Sequence, residues 1–460
     1  MRHIRADLTE GPLLKNIILY TVPIILTGVL QLLFNAADLV VVGRFCGSIS
    51  VAAVGATGSV INLIVNLFIG LAVGAGVTTA QALGAGDHDR VHRIVHTAIP
   101  TAAIGGLLLT AFGLCFARKA LELMGTPEDV IDLSAVYMRL YFCGMTSNML
   151  YNFGASILRA AGDTKGPLYY LTAAGVLNVI LNLIFVIVLK MDVAGVALAT
   201  AISQTLSAVL VLLALGARTD GCRLMAKKLR LYKKELTDII RIGLPAGIQG
   251  SLFSISNVLI QSSVNSFGSV VMSGNAASQN IEGFVYVSMN AFHQTALNFC
   301  GQNYGAGKYK RINKILLVSL ACVSVTGLAT GVLSWALGRP LLSIYITDSA
   351  DAISYGVIRL TYICLPYFLC GIMDVTTGAI RGIGASLLPM IISVLGICVF
   401  RIFWIFAIFG QPRFHTLECL YLSYTVSWIV TFLAEFTVFL VLVRKSEKKG
   451  RGAVPGRLIP

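Results

Sequence analysis

Charge is what this sequence is short of. Asp, Glu, Lys and Arg make up 12% of its 460 residues, about half the share of an average soluble domain. With 56% hydrophobic residues and a mean hydropathy of +0.82, that scarcity identifies an integral membrane protein. Strand-like alternation is missing, which excludes an outer-membrane barrel. The ten cysteines are scattered singly, with no CxxC pair, so they read as small core residues, not as disulfides or a metal site. No Walker motif occurs, and Gly84–Gly86 (GAG) follows no strand, so neither ATP nor a dinucleotide is expected. HExxH and paired-Asp motifs are absent, so the chain is not read as an enzyme. His88, His92 and His96 have metal-like spacing, but no acid or cysteine completes a ligand pattern. No metal and no cofactor is expected.

Acids are the scarcer sign, 21 against 35 Lys and Arg. The excess does not mark a nucleic-acid groove, because it sits in short loops of one parity. Between residues 14 and 443 the apolar stretches and their breaks give twelve candidate helical spans. Loops on one side hold 26 basic residues and those on the other six, which places both termini in the cytoplasm of a multi-pass plasma-membrane protein. The N-terminal apolar segment is too long for a signal-peptide core and lacks a small-residue cleavage pattern. It is expected to be retained as the first span.

Inside that first span lies a carboxylate. Thr27, Gln31, Asn35 and Asp38 fall at i, i+4, i+8 and i+11, one narrow polar face on an apolar helix. An ionisable group within a span costs about 2.5–3.5 kcal/mol on insertion scales and usually marks a substrate or ion pathway. Four further groups could meet Asp38: Asn152 in the fourth span, Asn178 and Asn182 on one face of the fifth, and Thr200 in the sixth.

The chain also repeats itself. AQALGAGD at Ala80–Asp87 recurs as GQNYGAGK at Gly301–Lys308, and ILRAAGDTKGP at Ile157–Pro167 recurs as AIRGIGASLLP at Ala379–Pro389. Pro23 and Pro245, and Asn35 and Asn257, keep the same offset. Two homologous six-helix halves follow, an N-lobe over 1–216 and a C-lobe over 236–444. A basic cytoplasmic linker, 217–235, joins them, and a basic tail, 445–460, closes the chain. An even span count per half inserts both halves in the same sense.

These motifs, with LTEGPLLKNIILYTVPIILTGVLQLLFNAADLVVVGRF at the start, resemble the multidrug and toxic compound extrusion (MATE) family over the whole chain. The resemblance implies an all-α protein of twelve transmembrane helices in a V-shaped pair of lobes. It also implies cation-driven export of organic, often cationic, drugs. Asp38, Asn178 and Thr200 resemble the family's N-lobe cation site. Asn182 departs from it, since relatives with this site commonly carry a second acid there.

In the second half, Asn275, Gln279, Glu282, Tyr286, Met289 and His293 recur with helical spacing and read as one polar and aromatic cavity wall. Tyr286 and Met289 suit an organic cation, through cation–π and thioether contacts. Gln31, Asn35 and Gln279 complete the expected substrate cavity. Asp374 resembles a family C-lobe acid, with local pairing to Arg381 as the alternative. Arg401 and Glu435 read as a mutually neutralising buried pair.

The functional expectation is a monomeric antiporter in a prokaryotic membrane, exporting small drug molecules against H+ or Na+ by alternating access. A lipid-linked oligosaccharide flippase of the same superfamily is the rival. It would favour Arg and Lys in the cavity for pyrophosphate, whereas the ionisable groups read as cavity-facing here are mainly acidic.

Overall fold

The structure is a computed structural model in which residues 7–347 and 349–452 are described. Arg2 and Arg5 of the first basic group, and the tail from residue 453, lie outside the described residues. A bilayer interior offers no hydrogen-bond partners, so a spanning backbone must bond within itself. This chain does so as helix, over 87% of its residues and with no strand among those described.

Along the described residues twelve helical columns follow one another. The first six are α1 (Leu13–Phe45), α2 (Ser48–Gly84), α3 (His88–Leu123), α4 (Glu128–Cys143, then Met145–Ala160), α5 (Lys165–Val188) and α6 (Asp192–Gly216). The second six are α7 (Lys233–Asn265), α8 (Ser269–Gly305), α9 (Tyr309–Ala336), α10 (Ala350–Gly382), α11 (Leu387–Phe409) and α12 (Leu417–Gly452), with a short helix Gly338–Tyr345 before α10. Among the described residues, nine are long and apolar enough to cross a bilayer by length and composition. The other three are α4, broken at Gly144, and the more polar α7 and α8. Glycine turns carry the repeat into the backbone. Gly47 and Gly268 have φ of 92° and 95°, Gly86 and Gly307 both 69°, and Gly162 and Gly384 85° and 93°. Those left-handed values favour glycine, so both halves turn at equivalent places.

Contacts divide the chain into two compact units. One holds 22–79 and 87–254, the other 7–21, 80–86, 255–347 and 349–452. In the first, α4 packs between α3 and α6, and α5 lies on α6. In the second, α8 packs on α9 and α10, and α10 also meets α12.

Within the first unit, α2 and α7 meet backbone to backbone. A Cβ on Gly70 would land on the Gly247 amide, and one on Gly74 on the Ile239 carbonyl. Gly70→Val is expected to cost about 1–3 kcal/mol, as overpacked cores do, read as a lower thermal midpoint in detergent. Gly55 faces open space, so Gly55→Ala serves as the control and should hold or slightly raise that midpoint.

The linker is fastened through a proline. Pro100 of α3 has no N–H to offer the His96 carbonyl one turn back. The Arg230 amide takes that place at 3.2 Å. Beside it, the Met225 amide donates to His96 Nε2 at 3.0 Å and the Tyr232 amide to Thr97 Oγ1 at 3.2 Å. A backbone amide only donates, so Nε2 accepts, while Nδ1 donates to the His92 carbonyl at 2.7 Å. His96 is therefore the neutral tautomer and ties the linker to α3. Ion pairs Arg93–Glu235 (2.7 Å) and Arg90–Asp238 (3.0 Å) continue the seam to the start of α7.

Candidate functional site: the buried polar groups of each unit

In the first unit, hydrogen bonds join α1, α5 and α6. Asn182 and Asn178, one turn apart on α5, are buried and present their amides in series. Asn182 Nδ2 donates to Asp38 Oδ1 at 2.5 Å and lies 3.3 Å from Asn178 Oδ1. Asn178 Nδ2 donates to Thr200 Oγ1 at 3.3 Å, and that hydroxyl donates to the Val196 carbonyl at 3.0 Å. Thr200 lies near Asp38, and among the described residues no cationic side chain neighbours the carboxylate. Tyr137 and Tyr141 of α4, stacked at 6.0 Å, sit within its electrostatic field. Asn182 Oδ1 is buried with no partner among the described residues. A half-buried carboxylate ringed by neutral dipoles is thus available to a proton or a small cation.

The other expected members of this group fall elsewhere. Asn152 donates its amide to the carbonyl and side chain of Asn148, one turn back on α4 (2.9 and 2.8 Å). On α1, Thr27 is buried and bonded to the Pro23 carbonyl at 2.7 Å. Gln31 and Asn35 are exposed.

In the second unit, the expected stripe on α8 divides. Asn275, Met289 and His293 are buried, while Gln279 and Tyr286 are exposed. At 3.6 residues per turn all six fall within an arc of about 80°, with Glu282 and Met289 at one edge and Gln279 and Tyr286 at the other. Met289 is a core residue, its Sδ set against Gly371 and Gly327.

Glu282 is held by a residue that sequence reading passed over. Arg359 of α10 donates Nη2 to Glu282 Oε2 at 2.6 Å and Nη1 to Asn275 Oδ1 at 2.7 Å. The two charged side chains are 16% and 4% exposed, Glu282 and Arg359 respectively. Tyr367 donates to Glu282 Oε1 at 3.3 Å, Tyr421 to Asn275 Oδ1 at 3.0 Å, and Asn275 to Gln261 Oε1 at 2.8 Å. Gln279 Nε2 joins the same Gln261 oxygen at 3.2 Å. The signal was present, since Arg359 and Glu282 are opposite charges inside apolar spans of one half.

Asp374 makes no ion pair among the described residues. Its backbone carbonyl accepts from His293 Nδ1 at 2.7 Å. The expected Arg401–Glu435 pair does not form. Glu435 accepts from Thr377 and Ser393, each at 2.7 Å. Arg401 donates Nε to Ser427 at 3.0 Å and lies over the Tyr424 ring, 3.9 Å from its centroid. Ser427 and Glu435 are about 12 Å apart along α12 at 1.5 Å per residue, so one α11 side chain meets only the first.

The MatE family model matches residues 23–184 and 245–406, the two halves of the repeat, starting at Pro23 and Pro245. The chain is 28% identical to the probable multidrug resistance protein YpnP of Bacillus subtilis, across 86% of this chain and 88% of that one. It is 21% identical to the multidrug export protein MepA of Staphylococcus aureus, across 87% and 89%. Among solved structures, an outward-facing multidrug resistance MATE family transporter superposes with a TM-score of 0.90 at 21% identity, covering 97% of this chain and all of that one. A MOP superfamily transporter from Pyrococcus furiosus gives 0.91 at 20% identity, covering 97% and 99%. Those two likenesses bear on the fold, which is the twelve-helix arrangement in two lobes.

Proposed function

The chain belongs to the MatE family, and from that premise we propose that it exports small organic compounds, often cationic, in exchange for H+ or Na+. The observation that carries this reading is Asp38, a span carboxylate whose neighbours are neutral donors and not a permanent cation. Burial penalises the charged form of a carboxyl group, and such a group gains from taking up a proton or Na+. Occupancy changes the charge at the junction of α1, α5 and α6. A ligand shifts a conformational equilibrium only through its different affinity for the two states. Binding at Asp38 favours release of drug outward, and delivery of the cation inward resets the protein. The lobes 1–216 and 236–444 are the bodies that rock, and 217–235 is their cytoplasmic tether.

One charge falling through 100 mV supplies about 2.3 kcal/mol. In the second unit we assign the substrate's positive charge to Asp374, because Arg359 already neutralises Glu282. Tyr286 and Gln279, both exposed, supply an aromatic face and an amide in that unit, and Gln31 and Asn35, exposed on α1, are the substrate contacts of the first. Asn152 steadies α4.

The test is efflux of a fluorescent organic cation from energised membrane vesicles. Asn182→Ala removes one donor to the carboxylate, a bond worth about 1.5–3 kcal/mol when one partner is charged. It should slow efflux roughly tenfold or more while Asn152→Ala changes it little. Equal losses in the two variants would remove Asn182 from the site.

A further inference from the structure

Where the linker crosses α3, it leaves a groove. Pro100, Ala103 and Ile104 form one wall and Leu229 and Leu231 the other, with Arg230 between the two leucines, around a cavity of about 450 Å³. That volume is within the range of small-molecule sites. The walls are apolar and open outward, with Ile104, Leu229 and Leu231 each 42–47% exposed. Below them Leu107 and Leu108 extend the same oily surface, 60% and 61% exposed. Basic side chains rim the other end: Lys227, Lys228 and Arg230 are all exposed, and the Arg230 guanidinium lies 5.7 Å from the Tyr232 ring centroid.

The position of the groove along α3 identifies its surroundings. The helix has 36 residues, about 54 Å at 1.5 Å each, whereas the hydrocarbon core is about 30 Å thick. Arg118 marks the far boundary, since it pairs with Glu122 and Asp132 and all three are more than half exposed. Counting back about twenty residues, the length that spans the core, puts the near boundary close to residue 98. The groove begins there, with its apolar floor on the hydrocarbon side and its basic rim on the water side.

We propose that this groove is a binding site for one anionic phospholipid. An acyl chain lies along Pro100, Ala103, Ile104 and the two leucines, and the phosphate meets Arg230 with Lys227 and Lys228. The Arg230 main chain is fixed by its own amide, which donates to the His96 carbonyl, and by the Tyr232 amide two residues on, which donates to Thr97 Oγ1. The charge is therefore presented at a set depth, unlike a free basic segment. A bound lipid would clamp the linker on α3 and so link membrane composition to the tether between the lobes.

The experiment is native mass spectrometry of the full-length protein, delipidated in mild detergent and titrated with phosphatidylglycerol or phosphatidylcholine of matched chains. One phosphatidylglycerol should bind at least about fivefold tighter than phosphatidylcholine, the scale of one juxtamembrane basic residue. Arg230→Gln should erase that preference and Arg230→Lys should keep it. Ala103→Trp, which fills the groove, should weaken both lipids. Equal binding of the two lipids by the unsubstituted protein overturns the proposal, as does an unchanged preference in Arg230→Gln. Displacement of phosphatidylglycerol by glycerol phosphate at the lipid's own concentration overturns it too, because the acyl chain would then contribute nothing. Thermal midpoints without lipid, equal across the variants, separate a lost site from a lost fold.

Discussion

Asp38→Asn is expected to collapse drug accumulation gradients by about fifty-fold, the gradient that one charge falling through 100 mV sustains for a neutral compound. The substitution keeps the shape of the side chain and removes its ability to bind a proton or Na+. Its hydrogen-bonded neighbours among the described residues cannot replace it, since Asn178, Asn182 and Thr200 are neutral. Folding should survive, because no cation is left without a partner and a buried charge is removed. Steady-state accumulation of a neutral fluorescent substrate, beside the thermal midpoint of the same variant, reads both quantities. Undiminished export by a folded Asp38→Asn protein would end the assignment.

Arg359→Met should destabilise the second unit by about 3–5 kcal/mol, the usual cost of removing one partner from a buried ion pair. Glu282 would be left buried, with the Tyr367 hydroxyl as its remaining donor, and Asn275 would lose a charged donor. Pairing the change with Glu282→Gln removes the stranded charge, so most of the loss should return. Replacing both members of such a pair is often close to neutral. The double-mutant cycle, measured by unfolding in detergent, gives the coupling directly. An Arg359→Met protein as stable as the parent would contradict the ion pair.

Much of this architecture can be read from the residues. The repeated Gly-containing motifs mark two halves, and the matched φ values at Gly86 and Gly307 show why glycine stands there. The i, i+4 spacing of Asn178 and Asn182 puts both on the α5 face that reaches Asp38. What spacing does not give is azimuth between helices. The α8 stripe reads as one wall, yet its two edges face differently, Met289 packed inward and Tyr286 left exposed. Arg401 and Glu435 carry opposite charges on successive helices, but α12 is long and the axial register decides which of its turns α11 meets. Pro100 holds a signal of a different kind. A helix carbonyl that loses its donor must find another, and the linker amide of Arg230 is the one it finds.

The most direct test is transport of a fluorescent organic cation in proteoliposomes with pH and Na+ gradients imposed one at a time. One of the two gradients, inward-directed, should drive the cation outward against its own gradient, and Asp38→Asn should abolish that uphill movement. Downhill leakage that ignores both gradients, and is the same with and without the carboxylate, would contradict the account.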